Sequence, residues 1–263
     1  MRLLLLGLAV ILSISLSLSA QVPSAGNLTY LTEQFPPYNL RDGGTLQGIS
    51  VDLLEAMWQR MNVSLNRSAI VLLPWSEGYR RALTENGTVL FSTARLEGRE
   101  ELFKWVGPIG PIRNVLLAKS DSNISIADDS DLTRYKIGAI RDDSAVQMLA
   151  DRGLEEDRLV LCAEAQSIIE MLQNGSIDAW AYGDTAGLWL ISEGGQNPDD
   201  FRIAYVLGTL DYYYAFDRNT PEALLLEFQN ALDDIKTNKS GDGMSEYERI
   251  LSHYEPVVQA TEI

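Results

Sequence analysis

Two guanidinium groups, Arg95 and Arg99, stand a few residues beyond the apolar run Val89 to Ser92, with Ser92 and Thr93 at its end. A guanidinium so placed can hold a carboxylate through two parallel hydrogen bonds, a stronger and more directional contact than a lysine makes. It can equally form an ordinary surface ion pair. In open α/β sheets ligands sit outside the carboxyl ends of the strands, so Ser92, Thr93, Arg95 and Arg99 are binding candidates. Groups suited to catalysis are sparse. The single histidine, His253, has no spaced partner for a triad or a metal and reads as a surface helix residue. The single cysteine, Cys162, ends an apolar stretch and reads as a buried structural thiol. Gly107, Gly110, Gly194 and Gly195 lack the spacing of a phosphate-cradling loop. Asp128, Asp129 and Asp131 lack the glycine and the distal glutamate of a calcium loop. The chemistry expected is binding, with no catalytic residue, no metal and no cofactor.

The elements that would position these groups follow from the hydrophobic pattern. Short β-like runs alternate with helical periods along the chain, the pattern of an α/β architecture with mostly parallel sheets. Strands are expected at Leu28 to Leu31, Ile70 to Leu73, Val89 to Ser92, Val115 to Ala118, Lys136 to Ile140, Leu159 to Cys162, Asp178 to Tyr182, Arg202 to Val206 and Tyr212 to Phe216. Helices are expected around Val51 to Met61, Glu77 to Leu83, Ala145 to Ala150, Ala165 to Gln173 and Pro221 to Lys236, with a last one reaching Tyr254. Asp142, Asp143 and Ser144 are residue types that cap a helix start. Asp121 to Asp131 reads as an acidic, solvent-exposed loop. Val115 to Ala118 and Arg202 to Val206 are natural places for the chain to cross between two halves.

The ends and the composition bound the setting. Arg2, an apolar run from Leu3 to about Leu18 and the small residues Ser19 and Ala20 have the layout of a secretory signal peptide over residues 1–20, with retention as an uncleaved membrane anchor the alternative. About 240 residues then remain, enough for one large domain or two lobes. One cysteine allows no intrachain disulfide. A formal charge of -16 disfavours sustained contact with nucleic acid or anionic lipid. Asn27, Asn62, Asn66, Asn86, Asn123, Asn174 and Asn238 each open an Asn-x-Ser/Thr sequon, which suggests a glycosylated exterior. The expected protein is a secreted or extracytoplasmic monomer.

A set of motifs then resembles a known family. In order these are Glu33-Gln-Phe-Pro-Pro-Tyr-Asn, Gly48-Ile-Ser-Val-Asp-Leu-Leu, Leu73-Pro-Trp-Ser-Glu, Arg99-Glu-Glu-Leu-Phe-Lys-Trp-Val-Gly-Pro, Ile137-Gly-Ala-Ile-Arg-Asp-Asp-Ser and Asn174-Gly-Ser-Ile-Asp-Ala-Trp-Ala-Tyr-Gly-Asp. Their order and spacing resemble the family 3 extracellular solute-binding proteins, the polar amino-acid receptors of ABC importers. The resemblance implies two Rossmann-like α/β lobes joined by a two-strand hinge, the periplasmic-binding-protein type II fold. Lobe 1 would hold 27–112 and 209–263, and lobe 2 would hold 113–208. It implies a receptor that captures a small carboxylate-bearing solute, an amino acid, for an ABC importer permease. Arg99 would take the α-carboxylate, and Ser144 would meet it from the helix start of lobe 2. Asp184 falls near the family aspartate that binds the ligand ammonium. Phe35, Tyr38 and Trp75 would form an aromatic wall, although core aromatics are the alternative, and Glu33 could serve a cation. Leu96 stands where the family has threonine, and Ala94 replaces a commonly polar position. Two other readings share the scaffold: a prephenate or arogenate dehydratase using Glu33 or Asp184 as acid, and a sensory binding module.

Overall fold

The computed structural model of the chain describes residues 24–259, so the expected export segment, 1–20, lies outside the described residues. The first part builds β1 (Thr29–Thr32), a small hairpin of β2 (Leu40–Asp42) and β3 (Thr45–Gln47), α1 (Ile49–Arg60), β4 (Ile70–Leu72), α2 (Trp75–Thr84) and β5 (Thr88–Ala94). β1 lies parallel between β4 and β5, the pairing that strand–helix–strand crossovers produce. The chain then runs through β6 (Phe103–Lys119), β7 (Ile137–Ile140), α3 (Ser144–Ala150), β8 (Val160–Cys162), α4 (Ala165–Gln173), β9 (Ala179–Gly183) and α5 (Asp184–Glu193). Here β7 lies parallel between β8 and β9. β10 (Phe201–Asp217), α6 (Glu222–Thr237) and α7 (Glu246–Gln259) complete the fold.

The strand order β4-β1-β5-β10-β6-β9-β7-β8 explains how two lobes share one sheet. β6 and β10 have 17 residues each and pair antiparallel along their whole length. At about 3.3 Å per residue each spans over 50 Å, more than one small lobe needs. Tyr212 to Phe216 of β10 pair with β5, whereas Asn114 to Leu117 of β6 pair with β9. The two strands thus pass from one lobe to the other. The ladder shifts register between Val206 and Gly208, where Gly208 has φ +141°, so the crossing strand bends there.

Two expected strands, at 202–206 and 212–216, are therefore one continuous element. Helix α5 has no amphipathic period in the sequence. It buries Ala186, Gly187, Leu188 and Ile191, and a helix enclosed by protein need not carry a polar face. The acidic loop is not wholly solvated either. Asp131 is buried, where its carboxylate accepts the Ala127 amide and pairs with Arg134. The seven sequon asparagines are all exposed.

Helix α1 shows how the core is ordered. Val51, Leu53, Leu54, Met57 and Trp58 recur on its inner side and are fully buried, with the Trp58 ring edge-on to Tyr30 at 4.8 Å. Its start depends on Gly48, which has φ +127° and where a Cβ would lie 2.3 Å from the Tyr38 carbonyl oxygen. Both faults are in backbone and cannot be relieved by a side-chain rotation. Gly48→Ala is expected to destabilise the chain by about 3 kcal/mol, read as a fall in the urea midpoint with unchanged slope.

Candidate ligand-binding cleft

The carboxyl ends of the parallel strands in both lobes face one another across a cleft. Glu33 follows β1, Leu73 and Trp75 follow β4, and Arg99 follows β5. From the other side Asp142 and Asp143 follow β7, Glu164 follows β8, and Tyr182 lies near the end of β9. The cleft holds a cavity of about 420 Å³ whose walls include Glu33, Leu72, Leu73, Trp75, Ile140, Glu164, Ile169, Tyr182, Leu190 and Glu193. That volume suits a small solute. Its lining contains three carboxylates and no lysine or arginine. Trp75 is 4% exposed, and its indole Nε1–H has no acceptor among the described residues.

Arg99 stands at a second, smaller chamber of about 160 Å³, shared with Tyr79, Asp142, Asp143 and Glu156. Arg99 is 6% exposed, and its guanidinium rests beside a stacked pair of aromatic rings, 5.4 Å from the centroid of Trp75 and 5.1 Å from that of Tyr79, the two centroids themselves 5.6 Å apart. It donates to the Ala94 carbonyl of its own lobe at 3.2 Å and to the Asp142 carbonyl of the opposite lobe at 2.6 Å. One side chain therefore ties the two lobes together. The short 3-10 turn Glu97–Arg99 after β5 sets its position.

Asp143 caps α3, with one carboxylate oxygen accepting the Ala145 amide at 2.8 Å. Burial raises its pKa above the usual carboxylate range, against the pull of the Ala145 amide, Arg99 and Ser144. Glu33 keeps a partly exposed face toward the cavity while protein surrounds it from both lobes. Its carboxyl is held well above its ordinary value, first by desolvation and then by the charge of Asp143. The Tyr182 hydroxyl and Arg99 oppose this less strongly. That hydroxyl donates to Glu33 at 3.4 Å across the cleft.

Of the residues expected to bind, Glu33, Trp75 and Arg99 come together at the cleft; Ser144 is buried at the start of α3, next to Asp143, and is not among the residues lining either chamber. Others lie elsewhere. Ser92, in the left-handed region at φ +58°, is buried among Ser50 and Asn39, with its hydroxyl 2.7 Å from that of Ser50 and donating to Asn39 at 2.8 Å. Thr93 donates to the Leu90 carbonyl. Both hydroxyls are thus spent inside lobe 1. Phe35 packs on Tyr182 and Tyr212 and closely approaches Gly183, where a Cβ would lie 2.7 Å from its ring. Tyr38 packs on Tyr212 and donates to the Pro111 carbonyl. These two rings form a floor between the lobes. Asp184 accepts from Arg113 Nε at 2.5 Å and from the Thr185 amide at 2.7 Å, and it is not among the residues lining either chamber. Arg95 pairs with Glu100 on the surface. The contributions of Tyr79, Asp143, Glu164 and Tyr182 do not follow from residue type. Their place at the carboxyl ends of strands or on the helix that follows was the available signal.

Comparison with known proteins agrees with this architecture. The profile of the bacterial extracellular solute-binding proteins, family 3, matches residues 28–247. A histidine kinase sensor domain with similarity to periplasmic binding proteins superposes with TM-score 0.73 at 22% identity, covering 87% of this chain and 96% of that one. Holo ArgBP from T. maritima superposes with TM-score 0.67 at 19% identity, covering 86% and 95%. An ancestral arginine-binding protein bound to arginine gives 0.68 at 18%, covering 86% and 97%. A search of curated protein sequences finds no match. At such identities the structural likenesses establish the type II periplasmic-binding fold, and the match of the profile over most of the chain establishes descent: this chain belongs to the bacterial extracellular solute-binding proteins, family 3.

Proposed function

We propose that the chain is an extracytoplasmic receptor that closes its two lobes on a small amino-group-bearing solute, an amino acid or a close relative of one, and passes it to the permease of an ABC importer. The observation that carries this reading is the cleft itself. A cavity of about 420 Å³ with an acidic and apolar lining lies where the strand ends of both lobes converge, beside one buried guanidinium that bridges them. Glu33, Trp75 and Arg99 would meet the solute from lobe 1, and the Asp143–Ser144 corner and Tyr182 from lobe 2. Binding begins on one lobe, hinge bending at the two crossing strands adds the contacts of the other, and the closed shape is what a membrane partner recognises. The arginine named for the ancestral arginine-binding protein supports a solute of this class.

The test is a thermal-shift screen of amino acids, amines and organic acids, followed by small-angle scattering with the best binder. A solute at one hundred times its Kd is expected to stabilise the chain by about 2.7 kcal/mol and to reduce its radius of gyration. A panel in which no solute raises the melting temperature would overturn the receptor reading. The sensor-domain neighbour, which is covered over 96% of its length, favours a second reading, a module that presents its solute to a signalling receptor. Co-purification with a kinase rather than a permease would select it.

A further inference from the structure

We propose that the solute taken by this cleft is a cation without a carboxylate, an amine or guanidine on a methylene stem, and that Asp143 supplies from the protein the negative charge that an amino-acid ligand would bring. This rests on the receptor reading above and narrows its ligand.

The start of α3 is the first ground. A ligand carboxylate could be expected to meet free amides there, but Asp143 has already placed its own carboxylate on the Ala145 amide, with Ser144 beside it. Asp143 is 6% exposed, so its charge is not screened by bulk water. A second carboxylate at that corner would face the first. Arg99 is the second ground. Its fork is turned onto the Ala94 and Asp142 carbonyls, it rests beside the stacked Trp75 and Tyr79 rings, and the chamber it opens on is shared with Asp142, Asp143 and Glu156. The larger cavity is the third ground. Its three carboxylates, Glu33, Glu164 and Glu193, have no basic residue among them, and Leu72, Leu73, Trp75 and Ile169 offer apolar surface for a stem. Glu164 and Glu193 are exposed and act mainly on approach, whereas Glu33 and Asp143 are enclosed by both lobes. Against one buried guanidinium these two carboxyls leave a site that attracts cations and repels a ligand carboxylate.

The experiment uses matched pairs that differ only in the carboxylate: arginine with agmatine, ornithine with putrescine, and lysine with cadaverine. Calorimetry on the full chain is expected to show the decarboxylated member of at least one pair binding ten-fold or more tightly than its amino acid. Asp143→Asn should shrink that ratio at least ten-fold, because the competing carboxylate is gone. Amino acids binding as tightly as their amines, or more tightly, would overturn the inference and leave the receptor reading in place. An acidic or uncharged solute that closes the lobes while all six compounds fail would do the same. Failure of every solute in the wider screen would remove both.

Discussion

Arg99→Ala is expected to lower the stability of the chain by about 3–5 kcal/mol, the range for removing one partner from a buried arrangement of charges. The effect comes from three losses at one position. The Ala94 and Asp142 carbonyls lose a charged donor, the stacked Trp75 and Tyr79 rings lose the cation resting beside them, and Glu33 and Asp143 lose the cation that eases their ionisation. Because Asp142 belongs to the opposite lobe, the variant should also open: its radius of gyration should exceed that of the parent without ligand. Arg99→Lys should recover little, since an ammonium is a point charge that cannot span two carbonyls in the fork geometry of a guanidinium while packing a flat group against the aromatic pair. Urea unfolding and small-angle scattering test both parts. An unfolding midpoint and a radius equal to those of the parent would show that Arg99 is not the link between the lobes.

Glu33→Gln should move stability and binding in opposite directions. Desolvation, followed by the charge of Asp143, raises the Glu33 carboxyl well above its ordinary value of 4.5 in the folded chain. The folded state therefore keeps a proton that the unfolded state releases. The contribution of Glu33 to stability is complete below about pH 4.5 and declines as pH rises through the interval between the unfolded and folded values. Glutamine resembles the protonated form, so the variant should be more stable than the parent at pH 7–8 by about 1–3 kcal/mol, the usual cost of an uncompensated buried polar group. Its loss of stability with rising pH should be shallower, though not absent, because Asp52 and Asp143 are raised as well, both chiefly by burial.

The same substitution should weaken the binding of a cation roughly hundred-fold or more, as loss of one member of a desolvated charge pair does. A cation requires the ionised form of Glu33, so its binding to the parent should release a proton and tighten as pH rises. Calorimetry in two buffers of different ionisation enthalpy measures that proton directly. A variant that binds as the parent does and is no more stable would exclude Glu33 from both roles.

The class of fold was legible along the chain because local periodicity records which element a segment forms. Alternating strand and helix patterns led to the parallel units, and Arg99 could be picked out because it follows a buried strand, the position where such sheets bind ligands, whereas Glu33 and Trp75 are indicated only by the family resemblance of their motifs. Local pattern does not record which way a side chain turns once neighbours are in place. Ser92 and Thr93 follow the same strand logic, yet their hydroxyls are taken up by Ser50, Asn39 and the Leu90 carbonyl inside the lobe. Asp184 has the residue type suited to an ammonium, yet Arg113, 71 positions earlier, holds it. The opposition of Glu33 to Asp143 and Tyr182 joins segments more than a hundred residues apart, brought together only when β6 and β10 cross between the lobes. The sequence by itself determined the α/β class, most of the strands and helices, and the guanidinium that follows β5. Tertiary structure decided the sign of the cavity, because electrostatic preference depends on distances and burial across the cleft, and these arise from long-range strand pairing that no local period encodes.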